Sequence, residues 1–108
     1  MIFDTDEETF EQVVIEASHR RPVMVDFWAD WCPPCIALTP VLEKIAAEPD
    51  AEVDLAKVEA DENMHLAGRY QLRGFPTVIL FVEGAEVARF SSFRNREWVE
   101  DFLQQHLA

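Results

Sequence analysis

Cys32 and Cys35 stand three apart in Trp31-Cys32-Pro33-Pro34-Cys35, and the chain contains no other cysteine. Thiols at that separation can close a short disulfide loop, so a reversible two-electron couple is the first chemistry these residue types allow. Upstream, Val23-Met24-Val25-Asp26-Phe27-Trp28 is a nearly continuous apolar run of strand formers, suited to a strand covered on both faces. Downstream, Ile36, Leu38, Val41, Leu42, Ile45 and Ala46 recur at helical spacing. The cysteines therefore sit where a buried strand turns into a helix. There the positive end of the helix dipole favours a thiolate at Cys32, and thiolate is the form that attacks disulfides. Cys35, one turn in and more buried, is the resolving thiol that expels the product. Pro33 and Pro34 fit this turn, because first-turn amides have no intrahelical partner. Other readings of two cysteines are a zinc site and a pair of inert thiols. A structural zinc ion usually takes four ligands, and the chain adds only His19, His65 and His106 at scattered positions.

Asp26 is the second signal. A carboxylate inside an apolar strand has its pKa raised by desolvation, and a value near neutrality suits proton exchange with a thiol. The competing readings are an edge position open to solvent and a structural hydrogen bond. Lys57, in the next strand run, is a candidate charge partner for Asp26, or else an exposed lysine. The third signal is Gly74-Phe75-Pro76-Thr77. An X-Pro bond just before a buried strand is a place for a cis peptide, which would leave the Phe75 backbone free to pair with an extended substrate. By itself the segment reads as core.

The elements that must hold these residues follow from pattern. Thr5-Asp6-Glu7-Glu8 reads as a capping box with Thr5 as N-cap and Glu8 reaching back. It opens a helix over Asp6 to His19 that Arg20-Arg21-Pro22 ends. A weak first strand is confined to Met1-Ile2-Phe3. The second helix is kinked at Pro40. Strands are expected over Glu52 to Glu59, Thr77 to Val82 and Glu86 to Phe93, and a short helix over Asn63 to Tyr70. Glu83-Gly84 turns the last two strands into a hairpin. Asn95 caps a final helix that buries Trp98, Val99, Phe102, Leu103 and Leu107. The order β-α-β-α-β-α-β-β-α argues an α/β sheet with helices on both faces, carrying antiparallel strands at the hairpin.

Composition narrows the function classes. With 108 residues, 49% of them hydrophobic, the chain reads as a single domain over 1–108 with a real core. Nine Lys and Arg against 21 Asp and Glu give a formal net charge of −12, which argues against nucleic acid and anionic membranes as partners. No apolar run is long enough to span a bilayer. Residues 1–10 lack the basic and apolar regions of a secretory signal, so a cytoplasmic location is expected. No oligomer seam stands out, and a monomer is the default.

Taken together these segments resemble the thioredoxin family. The resemblance rests on Val25-Asp26-Phe27-Trp28-Ala29-Asp30-Trp31-Cys32-Pro33-Pro34-Cys35, Pro40, Lys57, Asp61, Arg73-Gly74-Phe75-Pro76-Thr77, Phe81 and Gly84, in order along nearly the whole chain. It implies the thioredoxin fold, a central mixed sheet flanked by helices, with Phe75-Pro76 cis and packed against the disulfide. It implies Cys32 as nucleophile, Cys35 as resolving thiol, and Asp26 with Lys57 as the proton-handling pair. Trp28, Trp31, Pro34, Gly74, Phe75, Pro76 and Ser92 would face the substrate. The implied activity is reduction of protein disulfides with no cofactor beyond the Cys32–Cys35 couple, recharged by thioredoxin reductase using NADPH. Three positions depart from the family pattern. Pro33-Pro34 replaces the usual Gly-Pro, removing a backbone N–H near the sulfurs. Ile36 replaces a commonly basic residue. Ser92 and Phe93 lie where the family commonly has a glycine in a flat docking surface, which bears on reductase docking and substrate range. Rival readings are a specialised thiol oxidant or isomerase, a reductant dedicated to one partner, and a peptide-binding module without turnover.

Overall fold

The computed structural model describes residues 1–107. Its centre is a five-stranded sheet in the order β1-β3-β2-β4-β5, formed by Ile2–Asp4, Val23–Trp28, Asp54–Glu59, Thr77–Val82 and Ala85–Ser91 numbered along the chain. β1 and β2 both run parallel to β3, while β4 is antiparallel to β2 and to β5. β2 is thus the middle strand, and its side chains from Val23 to Phe27 are all buried.

Period-2 alternation divides β2 between two cores. Met24 joins Leu38, Leu42 and Ile45 of α1 (Pro33–Ala46) and Val99, Phe102 and Leu103 of α3 (Arg96–Leu107). Val23, Val25 and Phe27 join Phe10, Val14 and Leu66 on the opposite face, where α2 (Met64–Arg69) lies. The mixed sheet with helices on both faces is the expected α/β architecture. Full burial of Leu38 and Leu42, worth about 1.5–3 kcal/mol each, anchors α1 and so fixes the turn that carries the cysteines.

The N-terminal helical segment differs from expectation. Instead of one α-helix capped by Thr5, residues 7–9 form a turn, Glu11–Glu16 winds as a π-helix and Ala17–His19 as a 3₁₀ turn. Asp6 supplies the cap: its Oδ1 accepts from the backbone N–H of Glu8 at 3.0 Å and of Thr9 at 3.1 Å. Thr5 instead pairs its hydroxyl with that of Thr9. Phe10, Val14 and Ser18 are all buried, and they are four residues apart.

Two local predictions hold in detail. Glu83 and Gly84 both have positive φ, 54° and 81°, the pairing of a type I′ hairpin turn. Asn95 Oδ1 accepts from the N–H of Trp98 at 2.9 Å, capping α3. Boundaries elsewhere move by one or two residues.

Candidate functional site

Cys32 is the N-cap of α1, with extended backbone (φ −109°, ψ 99°), and Pro33 and Pro34 occupy the first two helical positions. Neither proline has an N–H. The first amide that can serve the cap is therefore that of Cys35, which donates to Cys32 Sγ at 3.3 Å. The two cysteines form a disulfide with Cα atoms 5.3 Å apart. Cys32 keeps 3% of its surface exposed and Cys35 none. A sulfur at the rim, on the positive end of the helix, sits above a fully buried one. That arrangement presents one sulfur to an incoming partner and withholds the other.

Around the disulfide the walls are apolar. Ala29 clusters with the two cysteines, Trp28 and Phe75 pack against that cluster, and the Phe75-Pro76 bond is cis. Trp31 is 61% exposed and meets Phe75 edge-on, with ring centroids 6.1 Å apart. Its indole N–H donates to Asp61 Oδ2 at 2.7 Å, which ties the exposed ring to the loop after β3. Pro33, Pro34 and Gly74 are exposed, and the Gly74 carbonyl accepts from the Thr77 hydroxyl. A methyl group at Gly74 would touch nothing, so this glycine is not there for close packing. The N–H of Ser92 donates to the Pro76 carbonyl at 3.1 Å, bringing the loop after β5 beside the cis bond. Ser92 has a φ of 73°, a left-handed conformation that favours glycine. Ile36 and Phe93 add exposed apolar surface on α1 and on that loop. Trp28, Trp31, Phe75 and Pro76 are thus grouped with the cysteines, and Ser92 is joined to them through Pro76.

Asp26 lies fully buried on the α1 face of β2. Thr39 of α1 donates its hydroxyl to Asp26 Oδ2 at 2.6 Å, while Oδ1 has no partner among the described residues. Burial pushes the Asp26 carboxyl up to about 6, against downward pulls from the Thr39 hydrogen bond and the charge of Lys57; the charge of Glu43 adds a lesser upward push. The carboxyl is therefore poised close to neutrality.

Lys57 is beside Asp26 in the sheet register, yet it is not its ion-pair partner. Its ammonium reaches Glu43 Oε2 at 2.9 Å and Asp4 Oδ1 at 3.8 Å. Its charge acts on Asp26 without an ion pair: α1 brings the Glu43 carboxylate down onto the lysine, and that carboxylate is nearer. Thr39 and Glu43 are the site residues that sequence reasoning missed. Both fall on the stripe of α1 that begins at Cys35, at successive four-residue steps, and that spacing was the available signal.

Among the described residues, no group of three or more His, Cys, Asp or Glu side chains stands close enough to hold a metal ion, and no helix is long and apolar enough to cross a membrane. The family model described as Thioredoxin matches residues 1–105. Thioredoxins of Staphylococcus aureus, strains Mu50 / ATCC 700699, MW2 and N315 among them, are 39% identical to this chain over 84 residues, 78% of its length and 81% of theirs.

Proposed function

Since the chain belongs to the thioredoxin family, with thiol–disulfide oxidoreductase activity at its Cys32–Cys35 pair, we propose a division of labour in which Cys32 attacks, Cys35 resolves and Asp26 moves the proton. The Cys32 thiolate attacks one sulfur of a substrate disulfide, forming a mixed disulfide and releasing the other substrate sulfur as thiolate. Asp26 takes the proton from the Cys35 thiol. The Cys35 thiolate then attacks Cys32 Sγ, closing the Cys32–Cys35 bond and expelling the second substrate sulfur. Two electrons pass to the substrate, and both of its sulfurs leave as thiols once protonated. Lys57 acts on Asp26 through its field. Trp28 and Trp31 shield the sulfurs from water. Pro34, Gly74, Phe75, Pro76 and Ser92 line the surface on which the substrate backbone lies.

The observation that carries this reading is the asymmetry of the pair: Cys32 caps α1 at the rim and Cys35 is wholly enclosed. A disulfide suffices as the redox group, and no further cofactor is invoked. The proposed setting is the cytoplasm, where a reducing environment keeps such a pair ready. The proposed electron donor is thioredoxin reductase acting on a monomer.

Cys35→Ser tests the assignment. With the resolving thiol removed, the protein should accumulate as a mixed disulfide with a disulfide-bonded test protein, releasable by dithiothreitol. Failure to trap any such adduct would remove Cys32 as nucleophile. A reduction potential near the ~ −270 mV of thioredoxin supports reductase work, whereas ~ −180 to −120 mV would turn the reading toward an isomerase or oxidant.

A further inference from the structure

Four side chains form a row across the α1 face of the sheet. Asp4 of β1 is in register with Lys57 of β3, Lys57 with Asp26 of β2, and Asp26 with Val78 of β4. Register alone would set the Lys57 ammonium against the Asp26 carboxylate. The helix above breaks that pairing at two points one turn apart. Thr39 donates to Asp26 Oδ2 at 2.6 Å, and Glu43 accepts from the Lys57 ammonium at 2.9 Å.

We propose that Thr39 and Glu43 are positioning residues for the Asp26 carboxyl, Thr39 by holding one oxygen and Glu43 by drawing Lys57 to the outer end of the row. The inference rests on the reading of Asp26 as the group that takes the Cys35 proton, and it says what tunes that group. A buried carboxylate that kept Lys57 as a direct ion-pair partner would be a weak base, because the opposite charge stabilises its ionised form. With Lys57 bound to Glu43 and Asp4, the carboxyl keeps one neutral hydrogen bond and a free oxygen. Glu43 is half-buried at the edge of the row, so the ion pair is placed where water lowers its desolvation penalty. Desolvation is left concentrated on Asp26. The charges acting on the carboxyl are then Lys57 from the sheet and Glu43 from α1, with Asp4 acting on Lys57 and Val78 neutral on the remaining neighbour strand. Cys35, one turn before Thr39, begins the same helical stripe.

The test reads the Asp26 carboxyl directly, by carbon-13 NMR titration of the oxidised protein, in which neither cysteine titrates. Glu43→Gln keeps the shape and removes the charge. It should lower the Asp26 midpoint by about one pH unit, a tenfold change in the proton equilibrium. In a Lys57→Met background the same substitution should produce less than half that shift, since Glu43 acts mainly through the lysine. Thr39→Val should raise the midpoint by removing the bond to the ionised form, and Thr39→Ser should restore it. An unchanged or raised midpoint in Glu43→Gln, an equal shift with and without Lys57, or no response to Thr39→Val would overturn the inference. The pH profile for resolution of a preformed mixed disulfide separates this from the underlying reading. If the carboxyl titration moves while that profile does not, positioning stands and the role of Asp26 as base falls. If the titration stays in place, the positioning inference falls by itself.

Discussion

Replacing Asp26 by Asn should remove a loss of stability that the parent suffers as pH rises from about 4 to about 6, and the size of the change follows from burial. The carboxyl is fully enclosed and pushed from its ordinary 3.8 up to about 6. The folded state therefore holds this proton more tightly than the unfolded chain. The stabilisation linked to it is fully present below 3.8 and is lost as pH rises through about 6. At about 1.4 kcal/mol per pH unit, the gap between 3.8 and about 6 amounts to about 3 kcal/mol. That much is missing above pH 7, where the carboxylate is ionised in a site that gives it one hydrogen bond. Asn keeps the shape and an oxygen for the Thr39 hydroxyl. Its amide group leaves donors where Oδ1 had no partner, a cost of about 1–3 kcal/mol that does not change with pH. Urea unfolding of the oxidised parent and variant, followed by tryptophan emission from pH 3.5 to 8, cancels the other titrating groups in the difference. The variant should gain about 3 kcal/mol on the parent across that range, whatever the constant offset. A difference that stays flat, or that grows toward acid, would refute the claim that burial rather than pairing governs Asp26.

Three further outcomes can be checked. Ser92→Gly should stabilise the protein by about 0.5–1 kcal/mol, because Ser92 holds a φ of 73°; a thermal unfolding midpoint that falls would contradict this. Gly84→Ala should destabilise by about 1–2 kcal/mol. Gly84 has a φ of 81°, and an added Cβ would meet the His19 ring at 2.7 Å, displacing it from Glu83; denaturant midpoints measure the loss. Asp61→Ala frees the Trp31 indole and should raise KM for a protein disulfide about two- to fivefold with kcat unchanged. A fall in kcat with KM unchanged would place Trp31 in the chemical step instead.

What was legible in the sequence was what short stretches determine by themselves. The β2–α1 junction follows from an apolar run, two prolines with no N–H to lose, and a helical stripe, so Cys32 as helix cap was readable. The type I′ turn at Glu83-Gly84 and the Asn95 cap are likewise settled within four residues. The N-terminal segment was not: Asp6 is by itself the stronger cap, yet Thr5 completes a capping-box pattern with Glu8. Lys57 shows the limit most clearly. Spacing places it near Asp26, and register confirms the neighbourhood. Its actual partner comes from the approach of α1: the spacing of Cys35, Thr39 and Glu43 marks one stripe of that helix but not which strand residue the stripe meets.

The same comparison explains why Asp26 stands out at both levels. An ionisable residue in the middle of Val23–Trp28 violates the apolar pattern of a central strand, and it remains buried with one oxygen unpaired. Left-handed backbone at a non-glycine residue recurs at Gln71, Glu83 and Ser92, and of these Ser92 is bonded to Pro76. Violations of local rules that survive in an otherwise consistent chain are expected where function requires them. Asp26 and Ser92 are two such positions, one bonded to Thr39 of the helix that Cys32 caps and the other to Pro76. A leucine at position 26 would satisfy the strand, yet it would leave the Thr39 hydroxyl without its acceptor and remove the proton acceptor proposed for Cys35. On the proposed role of Asp26, the carboxyl is where α1 and β2 serve the chemistry of the cysteines at the expense of stability.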